Sequence, residues 1–467
     1  MDHLHRYASA AAPIEACVVG SGGFGRSFLA QSTRVKSISA RVAVDLTADL
    51  AAAAWLSIGI PDEQIARCTS ADEAAAAWAA GQFIAAGDVA TVLALPVQVL
   101  IEATGHPEAG ARHARLAIEA GWHVALASKE VDSVVGPELS RMARAKGRVV
   151  TPVDGDQPSL LIGLVTWAQV LGFEVLSAGK SSEYDFVFDA ASESMHSNGN
   201  TVSVPGFGAH WKLQEGSVAA QVATRAAICA ALPQRAVPDL CELQVVSNST
   251  GLVADLSALH APIAHPSEVP DMFATAEDGG LFANNGVIDV FHCLRRPDEL
   301  SFAGGVFVII RCDDAETWDL LLGKGHVMSR DRRRAMVYIP RHLLGLEAMT
   351  SVLDAALHGA SSGAQEPKPV LDLVARATQA LPAGTLLKMG GHHHTIDGTT
   401  AELVPAAALA KGSPAPFYLV GNHRLLRDVA AGELINYDDV DIAPTSELLT
   451  LRLQQDAAFF PESTAAR

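Results

Sequence analysis

Apolar and polar positions fall into a repeating order of short strands and helices over the first third of the chain. Cys17, Val18 and Val19 run directly into Gly20, Gly22 and Gly25, and the spacing then becomes helical through Phe28 and Leu29. A second β-like run, 40–44, ends at Asp45. Strands are predicted at 15–19, 41–44, 97–102 and 123–127. Helices are predicted at 51–57, 71–83 and 108–120, with Pro61-Asp62 as a further helix start. This order predicts a doubly wound parallel sheet of Rossmann type over 1–153.

The texture changes after residue 153. Runs at 201–204, 243–246 and 306–310 read as strands between glycine-centred turns, so 154–337 is expected to be a central α+β domain with a mixed or antiparallel sheet. Over 338–381, Leu343, Leu344, Leu346, Met349, Val352 and Leu353 have helical spacing, and this segment should pack back on the first domain. A polar, Pro-rich loop at 359–369 precedes a second expected helix at 371–381. From 382 to 467 short strands and turns predict a small, separate β module.

Composition narrows the function classes. Of 467 residues, 49% are hydrophobic and 18% charged, which suits a well-buried globular protein of two or three domains. A formal net charge of -18 argues against nucleic acid or an anionic membrane as partner and leaves a small-molecule substrate. The six cysteines are scattered without a Cys-x-x-Cys pair, as in a reducing compartment. Neither a signal peptide nor an 18-residue apolar run stands out, so the expected location is cytoplasmic.

The glycines carry the first chemical reading. Gly20-Ser21-Gly22-Gly23-Phe24-Gly25 has the G-x-G-x-x-G form behind a strand and before a helix, with an acid about 20 residues on. Gly20 permits the tight turn, Gly22 lets backbone N–H groups approach a pyrophosphate, and Gly25 allows helix–strand contact. The helix N-terminus then faces the phosphates, and Asp45 can accept from ribose hydroxyls. Thr104 and Gly105 end another strand on the same edge. A dinucleotide is therefore expected.

Further groups follow along the chain. Lys129, in Ala127-Ser128-Lys129-Glu130, also ends a strand and could stabilise charge developing on a substrate oxygen. Asp154 and Asp156 flank Gly155 and can either converge on Mg²⁺ or Mn²⁺ or cap a helix before Pro158. Lys180 with Glu183 and Asp185 is either an acid–base cluster or a charged turn. The polar stretches 180–185, 247–251 (with Asn248 and Thr250) and 284–286 look like site material. His392-His393-His394 reads as a polar loop rather than a metal site. Arg332-Arg333-Arg334 reads as a solvated face rather than a phosphate clamp.

Ala-Ser-Lys-Glu followed by Pro-Val-Asp-Gly-Asp-Gln resembles the Ala-Asn-Lys-Glu and Val-Asp-Ser-Glu-His elements of deoxyxylulose-phosphate reductoisomerase. The layout is closer still to reductoisomerase-like enzymes, which have a homoserine-dehydrogenase-like nucleotide domain, a central catalytic domain and a C-terminal SAF (β-clip) domain. Leu-Pro-Ala-Gly-Thr-Leu-Leu and Arg-Asp-Val-Ala-Ala-Gly-Glu-Leu-Ile-Asn-Tyr-Asp-Asp-Val-Asp are similar to the SAF pattern. The resemblance implies that Asp154 and Asp156 are metal-binding acids. It makes Lys129 the lysine of the Asn-Lys-Glu element, and Lys180 and Asn248 substrate contacts. Ser128 and Gln157 depart from that pattern. The Met-Asn-Lys-Gly-Leu-Glu element is missing, with 247–252 its nearest approximation.

The expected activity is NAD(P)-dependent, metal-assisted oxidoreduction of a small polyol- or sugar-derived substrate, with isomerisation in the reductoisomerase manner. A plain homoserine-dehydrogenase-like reaction and a non-catalytic nucleotide-sensing or carbohydrate-binding role are the alternatives. Asp45 points to NAD, whereas the resemblance points to NADPH. Homo-oligomerisation is expected of this fold family.

Overall fold

Seven parallel strands organise the N-terminal third in the order β3-β4-β2-β1-β5-β6-β7. They are β1 (Ile14–Val19), β2 (Ile38–Val44), β3 (Ile65–Cys68), β4 (Phe83–Ala86), β5 (Val99–Glu102), β6 (His123–Leu126) and β7 (Val150–Pro152). The helices are α1 (His3–Arg6), α2 (Gly23–Ser32), α3 (Ala48–Ser57), α4 (Ala71–Ala79), α5 (Pro107–Glu119) and α6 (Lys129–Ala145). This computed structural model describes residues 2–8, 12–214, 216–391 and 394–461. Both faces of the sheet are covered, so its strands are nearly all apolar. Val18 packs with Phe28, Leu29 and Trp55 on one face, while Cys17 and Val19 join Ala111, Ala114 and Val131 on the other.

Three strands, β3, β4 and β7, escape the hydrophobic pattern. The expected helix 71–83 stops at Ala79; Gly81 turns with φ +73°, and Phe83–Ala86 becomes β4. Pro61-Asp62 opens only one 3₁₀ turn, Asp62–Gln64, before β3. Buried four-residue strands in an Ala-rich segment have no period of their own to read.

The central sheet is mixed. Strand β8 (Val175–Ser181) lies between Val287–Arg295, which runs parallel to it, and Val306–Arg311, which runs antiparallel. Helices α7 (Gln157–Val170) and α9 (Val237–Thr250) cover one face, and Phe273, Phe282, Phe291 and Phe307 pack on the other. A further helix of this domain, α8 (Val218–Ile228), buries Arg225 against Glu268 (2.7 Å). The expected strand at 243–246 is instead the middle of α9, where Asp239 to Asn248 are all buried. A helix enclosed on every side loses its polar stripe, and with it the 3.6-residue signal.

The C-terminal portion differs from expectation in the same way. Leu371–Ala377 is a strand, not a helix, and pairs antiparallel with Thr399–Pro405. Nor is the module separate. Its last helix, Glu447–Phe459, places buried Arg452 on Asp372 (2.6 Å) and Asp456 (2.8 Å), and Glu447 takes Arg115 of α5 (2.6 Å). Met349 and Val352, from the helix Met349–Leu353, share a core with Phe28 and Trp55.

Helix α6 carries Pro137, which cannot donate to the carbonyl of Ser133. The Gln244 amide of α9 donates to that oxygen instead (2.7 Å). Gln455 of the last helix serves the neighbouring rung, donating to Val134 O (3.2 Å) and accepting from Glu138 N (3.3 Å). The interior proline is thus tolerated because two other domains supply its missing hydrogen bonds. These contacts fix the helix whose first residue is Lys129.

Candidate active site

The nucleotide crevice opens where the strand order reverses, between β1 and β5. A cavity of about 810 Å³ lies there, lined by Gly20, Ser21, Gly22, Asp45, Thr104 and their neighbours. Gly20 has φ +91°, and a Cβ on it would stand 2.7 Å from the Ala103 backbone. A Cβ on Gly25 would meet Gly20 O at 2.0 Å. Gly22 differs, because a Cβ there would point into open space. That space, before the free N–H groups at the start of α2, suits a diphosphate. Gly23 opens α2, and Phe24 packs from it against the core that holds Met349.

Asp45 ties this loop to β2. Its carboxylate accepts from Ser21 N (2.8 Å), the Ser21 hydroxyl and Leu46 N (2.7 Å). Burial alone would raise its pKa, but these hydrogen bonds reverse the effect and hold it below the usual value. Asp45 therefore meets the crevice as an anion. Thr104 lines the same cavity and donates to Glu102 (2.6 Å). Gly105, at φ +65°, is held by Ser128 Oγ (2.8 Å). The glycine loop, Asp45 and Thr104 meet around one cavity that fits a dinucleotide.

Beyond the crevice, Lys129 begins α6 and reaches α9. Its ammonium pairs with Glu242 and stands 4.0 Å from Asp156. Lys180, on β8, pairs with the other oxygen of Glu242 and with Asp239 (2.8 Å). Ser182 Oγ donates to Asp239 (2.8 Å). Lys180, Glu242 and Asp239 are almost wholly buried, while Lys129 keeps 21% of its side chain exposed. Burial would neutralise Lys129, yet Asp156, Glu242 and Glu130 hold its pKa well above the ordinary lysine value. Lys180 is likewise raised, by Asp239 and Glu242 against burial. Burial would push Glu242 up, but the two ammoniums bring it down to about 2. Asp156 is raised by burial, which Lys129 only partly offsets.

The expected partners of Lys180 are elsewhere: Glu183 is exposed and Asp185 binds Arg295 (2.5 Å). Asn248 and Thr250 lie at the far end of α9. Asn248 Oδ1 accepts from Val370 N (2.8 Å) and Leu371 N (3.1 Å), and Thr250 Oγ1 donates to Val246 O (2.8 Å). Both serve the backbone rather than the lysine cluster. Asp239 and Glu242 were missed because α9 read as a strand. Two acids three residues apart share a helix face, and that spacing was the available signal.

The two acids expected to hold a metal have separate tasks. Asp154 accepts from Thr350 Oγ1 (2.7 Å), and Asp156 caps α7 through Gln157 N (2.9 Å). The cation that Asp156 and Glu242 face is Lys129, already in place. Among the described residues, no group of three or more His, Cys, Asp or Glu stands ready for a metal ion. This donor set does not fit the Mg²⁺ or Mn²⁺ expected from the sequence.

His394 reaches the same edge from the C-terminal module and bonds Glu130 (2.8 Å), which raises its pKa despite partial burial. His392 and His393 lie outside the described residues. Of the arginine run, Arg334 is buried on Asp331 (2.8 Å) and Asp278 (3.3 Å), and Arg333 also meets Asp278 (3.2 Å). No helix among the described residues is long and apolar enough to cross a membrane.

Residues 155–348 match the family described as "Oxidoreductase DRL, catalytic domain", so the central domain is of oxidoreductase type. The match holds Asp156, Lys180, Asp239 and Glu242. No curated protein sequence matches the chain. Among solved structures, UDP-N-acetylglucosamine 3-dehydrogenase GnnA from Acidithiobacillus ferrooxidans is 14% identical, over 76% of this chain and 92% of that one, with a TM-score of 0.39. An inositol dehydrogenase homolog from Azotobacter vinelandii, complexed with NAD+, is 19% identical over 39% of this chain, with a TM-score of 0.26. DOX-P reductoisomerase in complex with magnesium is 16% identical over 37%, with a TM-score of 0.27. The chain spans less than half of these last two, 44% and 46% of their lengths. Likenesses this distant carry no argument about activity.

Proposed function

We propose that this chain is an NAD(P)-dependent oxidoreductase of small polyol- or sugar-derived substrates, with Lys129 as the group that meets the reacting oxygen. The observation that carries this reading is the position of Lys129. It opens α6 just beyond the end of β6, on the same sheet edge as the nucleotide crevice, and is paired into a domain of oxidoreductase type. When bound, the nicotinamide supplies or accepts a hydride.

The chain's own groups prepare the rest. The N–H groups after Gly22 hold the diphosphate, and Asp45 accepts from a ribose hydroxyl. Asp45 would repel a 2′-phosphate, which favours NAD. With a pKa well above neutral, Lys129 is an ammonium. It therefore donates to the substrate oxygen and stabilises negative charge there, rather than acting as a free base. Asp156, raised by burial and 4.0 Å away, is the proton acceptor when an alcohol is oxidised. Lys180 is a positioning residue, because it holds the far oxygen of Glu242, the carboxylate that pairs with Lys129.

The ammonium between Asp156 and Glu242 favours simple hydride transfer over metal-assisted rearrangement. The test is a screen of ketose phosphates, tetronates and sugar acids with NADH, NADPH and their oxidised forms. Lys129→Met should bind cofactor normally and lose turnover at least about 100-fold. Turnover within about threefold of the unaltered protein would exclude the role given to Lys129.

A further inference from the structure

A second cleft, of about 230 Å³, lies between the central sheet and the C-terminal module. Its lining is rich in hydroxyls and has one arginine. Ser197, buried at 2% exposure, and Thr400 make no side-chain hydrogen bond among the described residues, although both line the cleft. His292 lines it too, with only 3% of its surface exposed. Its Nε2 bonds Gln234 O (3.0 Å), which makes Nε2 the protonated nitrogen. Nδ1 is then a lone-pair acceptor, and it is buried without a partner. Burial lowers the pKa of this ring, which keeps it neutral. Nδ1 has almost no accessible surface, so the ring walls the cleft without offering it an acceptor.

Arg235 stands at the rim. Its guanidinium bonds the main-chain oxygens of Gln234 (2.7 Å), Leu259 (3.3 Å) and His260 (3.3 Å), and no carboxylate pairs with it among the described residues. Asp289 attracts this cation from a distance but forms no ion pair with it, so the guanidinium can still take an anion. The cleft also communicates with the lysines, because Ser182 lines it and donates to Asp239, the partner of Lys180.

We propose that this cleft binds a small polyhydroxylated anion, such as a sugar acid or sugar phosphate. Its hydroxyls meet Ser197 and Thr400, and the anionic group lies on Arg235. The C-terminal module is then one wall of the substrate site. This deepens the reading of the preceding subsection and rests on it only for the reaction, because binding here is measurable without cofactor.

The experiment is calorimetric titration of the whole chain, without cofactor, against gluconate, glucose 6-phosphate and sorbitol. At least one anion should bind about tenfold more tightly than sorbitol, and the tighter of the two identifies the anionic group. Arg235→Gln should erase that preference. Thr400→Val and Ser197→Ala should weaken all three ligands about three- to tenfold, with circular dichroism confirming that each variant is folded. No binding by any of the three at about 10 mM, or an anion preference that survives Arg235→Gln, overturns the proposal. Binding that obeys these rules with no turnover on any substrate leaves the cleft standing and removes the redox reading. Turnover with a KM indifferent to Arg235 and Thr400 does the reverse.

Discussion

Lys129 and Lys180, from different domains, hold opposite oxygens of one buried carboxylate, Glu242. Neither ammonium could remain charged there alone, because burial opposes both. Glu242 is therefore the keystone of the cluster. Its replacement by Gln should leave two ammoniums short of charge and destabilise the protein by about 3–5 kcal/mol. Urea denaturation measures this, and a loss below about 1 kcal/mol would contradict the arrangement.

The same cluster predicts indifference to chelators. Lys129 occupies the position between Asp156 and Glu242 that a divalent ion would need. EDTA should leave both the melting temperature and any turnover unchanged. A fall in either that Mg²⁺ or Mn²⁺ restores would return the metal to the site.

Two glycines of the nucleotide loop should respond oppositely to alanine. Gly25→Ala drives a methyl into Gly20 O and should cost more than about 2 kcal/mol of stability. Gly22→Ala places a methyl in open space, so the protein should melt normally while its affinity for NADH falls. Equal melting temperatures for the two variants would count against this geometry.

Cofactor preference rests on Asp45. Asp45→Asn should weaken NADH by about 10- to 100-fold and leave NADPH unchanged or tighter, as read by fluorescence titration. Tighter binding of NADPH than NADH by the unaltered chain would refute the preference assigned to this carboxylate.

His123 sets an acid limit. It is buried, accepts from Val149 N (3.1 Å), and its pKa is lowered by burial, then by Arg148, from 6.5 to about 4. The unfolded chain therefore takes up this proton first as the pH falls. Stability from this group is complete above about 6.5 and declines toward 4, by at most about 1.4 kcal/mol per pH unit. His123→Gln keeps the acceptor and removes the titration, so stability should depend less on pH in that window. An unchanged slope in urea denaturation would assign the acid sensitivity elsewhere.

The legible parts of the chain were those whose chemistry is local. Gly20, Gly22 and Gly25 constrain backbone within a few residues of themselves, and Asp45 follows at a distance set by one helix and one strand. Lys129 and Asp156 were visible because both sit where elements end. The partners of Lys180 were hidden, because they lie on a helix buried on every side, and such a helix shows no period. Strand 371–377 was misread for the same reason. Asn248 drew attention as part of the polar stretch 247–251. Its task is to receive two backbone N–H groups, a need that arises only once 370–371 is folded against it.

The proline in α6 bears on how the molecule comes to exist. The ribosome releases α6 long before Gln244, and longer still before Gln455, yet those two amides complete its broken rungs. A nascent nucleotide half must leave these groups to water until the last helix arrives. Cutting the chain after the first sheet, to transplant it as a cofactor-binding cassette, would therefore yield an unfinished part whose missing pieces lie far downstream of the cut.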